Sequence, residues 1–325
     1  GDVLADSSDN KLKKVEESLQ IAIDNLFELF LINILRYACA NENRQTIQFI
    51  QPAQIPLIKE LEPYFEQFSE KNPVIDLQYA LFRCLREPDK DEYFDRLRVL
   101  LPQHQHYLGR RPLRIIYMAT INISLRKMRT NPQKYTQTTL DLYTRGIDSK
   151  VLLDAGLLSE WTFNNTAKLA LRAGKISWTE SFVNNYYSLV FKDYQKNVLG
   201  LNRAEIAFAQ NDFHQVLEYL NDVSTTSIRY HVLVNILRIK ALWELDEMNP
   251  AIAALAALKV YLSRTRGIAP PIKKGAQNFC QALHRISVGG SAKKRAETLQ
   301  IITTTALIID REWLLKTYRK ENRRL

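Results

Sequence analysis

Apolar residues spaced for one face of a helix, broken by links of two to four residues, constrain this chain more than any other feature. Phe163, Ala167, Ala170 and Leu171 fall at i, i+4, i+7 and i+8, and Trp178, Phe182, Leu189 and Val190 at i, i+4, i+11 and i+12. Phe213, Val216, Leu217 and Leu220 continue the pattern. Each segment can bury one stripe only, so it must lie against another. Links as short as Gly174 to Ser177, Asn211 to Asp212 and Asp246 to Asn249 force consecutive helices to turn back and pack antiparallel.

Helix starts are marked repeatedly. Asn72-Pro73, Asn131-Pro132 and Asn249-Pro250 each set a capping side chain beside a proline, whose missing N–H costs nothing at the first helical position. Asp89-Lys90-Asp91-Glu92, Ser177-Trp178-Thr179-Glu180 and Asp212-Phe213-His214-Gln215 have capping-box spacing and predict three more starts. Looser stretches at Ala40 to Gln45, Gln103 to Arg111, Gly146 to Gly156, Gly267 to Pro271 and Ser287 to Lys294 are expected to be loops. With 10 Gly and 11 Pro in 325 residues, the chain has too few turn-formers for many short strands. The fold class expected is all-α.

Cys39, Cys84 and Cys280 are odd in number and far apart, which suggests neither a disulfide framework nor a thiolate zinc site and favours a reducing, cytoplasmic setting. The chain starts Gly1-Asp2 without Met, so Gly1 is expected to be foreign and the natural protein to extend upstream. Leu26 to Leu35, the most apolar stretch, is broken by Glu28 and Asn33, too short a run for a membrane span, and is expected to be a core helix. A net charge of +10 leans towards acidic partners.

The link-plus-second-helix segments around Val216 and Ala251 align at a separation of 35, whereas Ala167 and Ala204 are 37 apart. Asn202 to Phe213 followed by Val216-Leu217-Glu218-Tyr219-Leu220 resembles one tetratricopeptide repeat, with small Ala204 at the helix contact and Asn211-Asp212-Phe213 as its turn. Trp161 to Val190 and Asp310-Arg311-Glu312-Trp313-Leu314-Leu315 extend a resemblance to an uncharacterised bacterial family of helical-repeat proteins over roughly residues 110 to 320. Gly200 stands where the repeat usually has a bulky residue, Arg203 where it has a buried leucine, and no proline closes the unit.

The resemblance implies a right-handed α-solenoid of antiparallel helix pairs with about fourteen helices. Divergent pairs are expected over 1–108, and a tetratricopeptide-like array with C-terminal capping helices over 109–325. It also implies a concave groove that binds a protein or peptide. In modules that hold an acidic C-terminus, Asn, Lys and Arg project from the first helix of each pair, because amides and cations satisfy a carboxylate. Asn164, Lys168 and Arg172 are spaced four apart on one helical face, and one interval of 35 separates Lys168 from Arg203 and Arg203 from Arg238. That spacing predicts a basic column, against the alternative that these cations are merely solvated. Trp243, one turn from Lys240, is the expected aromatic of the groove.

Chemistry-bearing patterns are absent: the sequence has no H-E-x-x-H, G-x-S-x-G, Walker A or G-x-G-x-x-G run, and Gly289-Gly290-Ser291 lacks phosphate-cradling spacing. His104 and His106 could share a metal only from an extended segment and lack a third ligand. The expectation is a non-catalytic scaffold or adaptor with no cofactor, metal, membrane or small-molecule substrate. Nucleic acid is the rival partner, through Arg110-Arg111, Arg126-Lys127-Met128-Arg129, Lys273-Lys274, Lys293-Lys294-Arg295 and Arg319-Lys320 to Arg323-Arg324. A structural assembly subunit that self-associates is the third reading.

Overall fold

The computed structural model describes residues 2–48 and 53–324, and side chains over 13–44 and 53–323; Gly1 lies outside the described residues. It is about 80% helical, and the strands among the described residues are two residues each, Leu153–Asp154 and Leu157–Leu158. The chain is all-α. Two compact units succeed one another, the boundary falling between Gly156 and Leu157. Position 108/109, the boundary expected from sequence, lies inside the first unit between a 3-10 turn, Gln105–Tyr107, and the next helix.

The first unit contains α1 (Asp2–Gln48), α2 (Glu62–Ser69), α3 (Pro73–Arg86), α4 (Asp91–His104), α5 (Arg110–Thr130) and α6 (Pro132–Asp148). Its hub is α3, which packs on α1, α2, α4 and α5 and buries every residue from Ile75 to Phe82. Asn72 caps it by accepting from the backbone N–H groups of Val74 and Ile75, and Asn131 caps α6 by accepting from Lys134 N–H. Asp91 ties α4 to the α5–α6 hairpin, receiving Lys127 Nζ at 2.6 Å and Lys134 Nζ at 2.7 Å. Those two hydrogen bonds hold its carboxyl well below the usual carboxylate range.

Several sequence expectations need correction here. No loop spans Ala40 to Gln45, because α1 continues to Gln48, with Ala38 and Cys39 buried and Cys39 Sγ donating to the Gln78 carbonyl on α3. Leu26 to Leu35 is a core helix on one face only: Leu31 and Leu35 are fully buried, whereas Leu26, Leu29 and Phe30 are exposed. Asp89 does not cap α4, which starts at Asp91 after an extended Lys90.

The second unit contains α7 (Glu160–Arg172), α8 (Ile176–Tyr186), α9 (Lys192–Ala209), α10 (Phe213–Asn221), α11 (Ile228–Glu244), α12 (Met248–Arg264), α13 (Pro270–Val288), α14 (Ala292–Thr304) and α15 (Arg311–Arg324). Each packs on its chain neighbour, and α7 also meets α9, α9 meets α11 and α13 meets α15. Ser177 and Asn249 fall within α8 and α12 rather than capping them. Trp178, counted in a core stripe, is 38% exposed and stacks on Phe182 instead.

One turn closes α7, α9 and α11 alike. Gly174, Asn211 and Asp246 sit at φ of 74°, 63° and 58°. The following N–H reaches back five residues in each case: Lys175 to the Ala170 carbonyl at 2.9 Å, Asp212 to Ala207 at 2.9 Å and Glu247 to Leu242 at 3.0 Å. This left-handed closure satisfies carbonyls that a helix end would otherwise leave unpaired. Gly200 has a separate reason, because a Cβ there would lie 2.7 Å from Val223 Cγ2. The close approach of α9 to the end of α10 leaves no room for a bulky residue.

Candidate functional site

The shared turn supplies a register that residue intervals alone conceal. Six residues before the left-handed residue stand Lys168, Glu205 and Lys240; two before it stand Arg172, Ala209 and Glu244. Positions four apart lie on one helical face. On that face of α7, α9 and α11 rests the beginning of α15. Asp310, in the left-handed conformation at φ 50°, accepts from Lys240 Nζ at 2.7 Å and lies 3.7 Å from Lys168 Nζ, which is itself 3.3 Å from Glu205. Arg172 pairs with Glu312 at 2.6 Å. Trp313 Nε1 donates to Glu244 at 2.8 Å, and Lys320 approaches the other oxygen of Glu244 at 3.4 Å.

Electrostatics follow from that packing. Burial disfavours the Asp310 carboxylate, but the charges of Lys168 and Lys240 outweigh it and hold the group below its ordinary range. Asp310, with Glu205, raises Lys168 in turn. The Lys240 ammonium also sits 4.3 Å from the centre of the Phe208 ring, a favourable cation–π position. The arrangement pairs carboxylates with amine and guanidinium groups of the same chain.

A second polar ladder runs towards the start of α7. Asn202 Nδ2 donates to Asn164 Oδ1 at 2.6 Å, Asn164 Nδ2 to the Tyr230 hydroxyl at 3.3 Å, and that hydroxyl to Glu160 at 3.1 Å. Asn164 is therefore buried, with both ends of its carboxamide engaged inside the protein. Burial raises the Tyr230 hydroxyl above its ordinary range, and it raises Glu160 as well.

Of the residues singled out from sequence, Lys168, Arg172 and Lys240 come together around Asp310 and Glu312, and Asn164 lies in the neighbouring ladder. Arg203 and Arg238 do not join them. They stand eight residues before their turns, two away from the ionic positions, which rotates them about 200° around the helix. Arg203 is exposed and lines a cavity of about 490 Å³ with Glu180, Asn184, Gln210 and Asp212. Arg238 is half-buried near His231, whose ring stacks on Tyr261 at 3.8 Å and whose pKa burial and Arg238 together lower. The interval of 35 joins unlike positions between Lys168 and Arg203, because the first two turns are 37 residues apart, whereas Arg203 and Arg238 share a position away from the ionic face. Trp243 is 2% exposed within the apolar core around Leu255, Phe279 and Ile286, and offers no surface to a groove.

Cations left without a carboxylate lie further along α15. Lys316, Arg319 and Arg323, at i, i+3 and i+7, form no ion pair among the described residues and line a cavity of about 670 Å³ with Leu315, Glu312 and Lys320. The sequence named Arg319 to Arg324 only as a phosphate-neutralising run. It missed Asp310 as the centre of the ionic face, although one acidic residue directly before the last amphipathic helix and another in its first turn were visible signals.

The first unit has its own cleft of about 580 Å³ between α2, α3 and α4. Arg83 donates there to the hydroxyls of Tyr79, at 3.2 Å, and Tyr93, while Asp76 is held between Arg96 at 2.7 Å and His104 at 3.4 Å. Burial raises the Tyr79 phenol above its ordinary range. His106 stacks on Tyr107 at 4.0 Å, apart from the His104–Asp76 pair. Among the described residues no three His, Cys, Asp or Glu side chains stand together as a metal site. No known family, curated protein or solved structure matches the chain.

Proposed function

We propose that this chain is a non-catalytic interaction scaffold, a right-handed stack of antiparallel helix pairs of tetratricopeptide-like kind, that holds an acidic segment of a protein or peptide partner. One observation carries the reading. The face on α7, α9 and α11 already grips two acidic residues of its own chain, Asp310 and Glu312, while Lys316, Arg319 and Arg323 line an open groove and form no ion pair among the described residues. An acidic partner completes that second set of charges, and Leu315 gives it an apolar floor. Buried, unpaired thiols fit a cytoplasmic setting. No cofactor or metal enters the proposal.

The same basic face could neutralise phosphates, so nucleic acid is the rival. Fluorescence anisotropy with a Glu-rich peptide containing one aromatic residue, and with single-stranded RNA of equal net charge, separates the two across a salt series. The scaffold reading expects tighter peptide binding with a shallow salt dependence. Tighter RNA binding, with log K falling by about 0.7 per phosphate contact for each unit of log salt, overturns it.

A further inference from the structure

The surface that the scaffold reading leaves unexplained is on α1, in the other unit. Between Lys13 and Leu26 every residue is exposed, so the described residues of its own unit leave this part of the helix largely uncovered. A helical segment that packs on nothing is marginal in water. Its composition is not that of a solvated helix. Val15, Leu19, Ile23, Leu26, Leu29, Phe30 and Tyr37 are 42% to 68% exposed and, at 100° per residue, form one continuous stripe. Leu31, Leu35, Ala38 and Cys39, buried towards α3, lie on the opposite side.

We infer that this stripe is the pairing surface for a second copy of the same chain. Three observations select that occupant. Leu19, Leu26 and Asn33 recur every seven residues with Val15, Ala22 and Leu29 between them, the a and d seam of a two-stranded helical pair. Asn33 is the one polar residue at an a position in that series, and such an asparagine sets identical helices in register. The exposed stripe amounts to on the order of 700 Å² per chain, close to the roughly 800 Å² that each partner contributes to a stable interface. By length and composition the segment Lys13–Arg44 could also cross a membrane, but its polar side argues against a helix lying on anionic lipid: from Lys13 to Arg36 it carries four carboxylates, Glu16, Glu17, Asp24 and Glu28, against three cations. Helices that lie on anionic lipid show the reverse balance.

Sedimentation equilibrium of the full chain across the micromolar range tests this. A dimer is expected, with Leu19→Glu/Leu26→Glu giving a monomer whose thermal transition of the helical body persists. Because both sites are exposed, folding of the body is not at stake, and Leu26→Cys gives an independent readout. Under mild oxidation it forms a covalent dimer, whereas Val99→Cys, at a site 55% exposed on α4, does not. A monomer at all concentrations, an unchanged mass for the double Glu variant, or equal cross-linking at both cysteines overturns the pairing. So does co-sedimentation of the wild type with vesicles of phosphatidylcholine and phosphatidylserine that the double Glu variant abolishes. Peptide binding at α15 is unaffected by any of these outcomes.

Discussion

Lys240 Nζ lies 2.7 Å from Asp310 Oδ2 across seventy residues of chain, joining α11 to the start of the last helix in a site where the lysine is 5% exposed. Removing one partner of a buried pair leaves the other charge unpaired, which typically costs about 3 to 5 kcal/mol. The ionic face is therefore a clasp for α15.

Asp310→Asn should lower stability at neutral pH by about 3 kcal/mol, measured by urea unfolding. Asparagine tolerates the left-handed backbone, so the effect reports the charge. The native carboxyl titrates below its unfolded value, so its contribution is present above about pH 4 and is lost as pH falls through the depressed native pKa. The gap between wild type and variant should close on acidification. A gap that is constant with pH would show that Asp310 acts through packing.

Much of this was legible from sequence, for identifiable reasons. Asn72 and Asn131 are local signals, and their caps formed as read because a side chain and the next few N–H groups suffice. Gly200, a departure from the repeat pattern, became intelligible only once α9 was seen against α10. The basic column failed because it compared intervals of 35, whereas the turns at Gly174 and Asn211 are 37 apart and a shift of two residues moves a side chain to the other face. Counting back from each turn would have aligned Lys168 with Glu205 and Lys240. That Asp310 would meet them is a long-range fact with no local signature.

Gly200→Ala should destabilise the second unit by about 1 to 3 kcal/mol, because the new Cβ meets Val223 Cγ2 at 2.7 Å and the Tyr219 carbonyl at 3.3 Å. Thermal unfolding of Gly200→Ala/Val223→Ala should recover part of the loss. No recovery would place the strain elsewhere.

Asn164→Ala should cost about 1 to 3 kcal/mol, since it strips partners from both Asn202 and Tyr230. Combined with Asn202→Ala it should be non-additive by at least about 0.5 kcal/mol, as measured in a double-mutant cycle. Additive losses would mean the ladder is not a unit.

The three thiols should be inert in the native protein. Burial pushes Cys84 and Cys280 up to about 12 and Cys39 higher, leaving negligible thiolate at neutral pH. Thiol titration should detect none of the three in buffer and all three in denaturant. Fast labelling of any one in buffer would contradict its placement.

Two sets of cations could meet a partner, those on α15 and the pair Arg203 and Arg238, and one titration separates them. An acidic peptide is titrated against the wild type, against Lys316→Glu/Arg319→Glu/Arg323→Glu and against Arg203→Glu/Arg238→Glu. The scaffold reading predicts at least a tenfold loss for the α15 variant, about 1.4 kcal/mol or more, and affinity within about twofold of wild type for the other. Loss confined to the Arg203 and Arg238 variant, or equal binding by all three proteins, would contradict it.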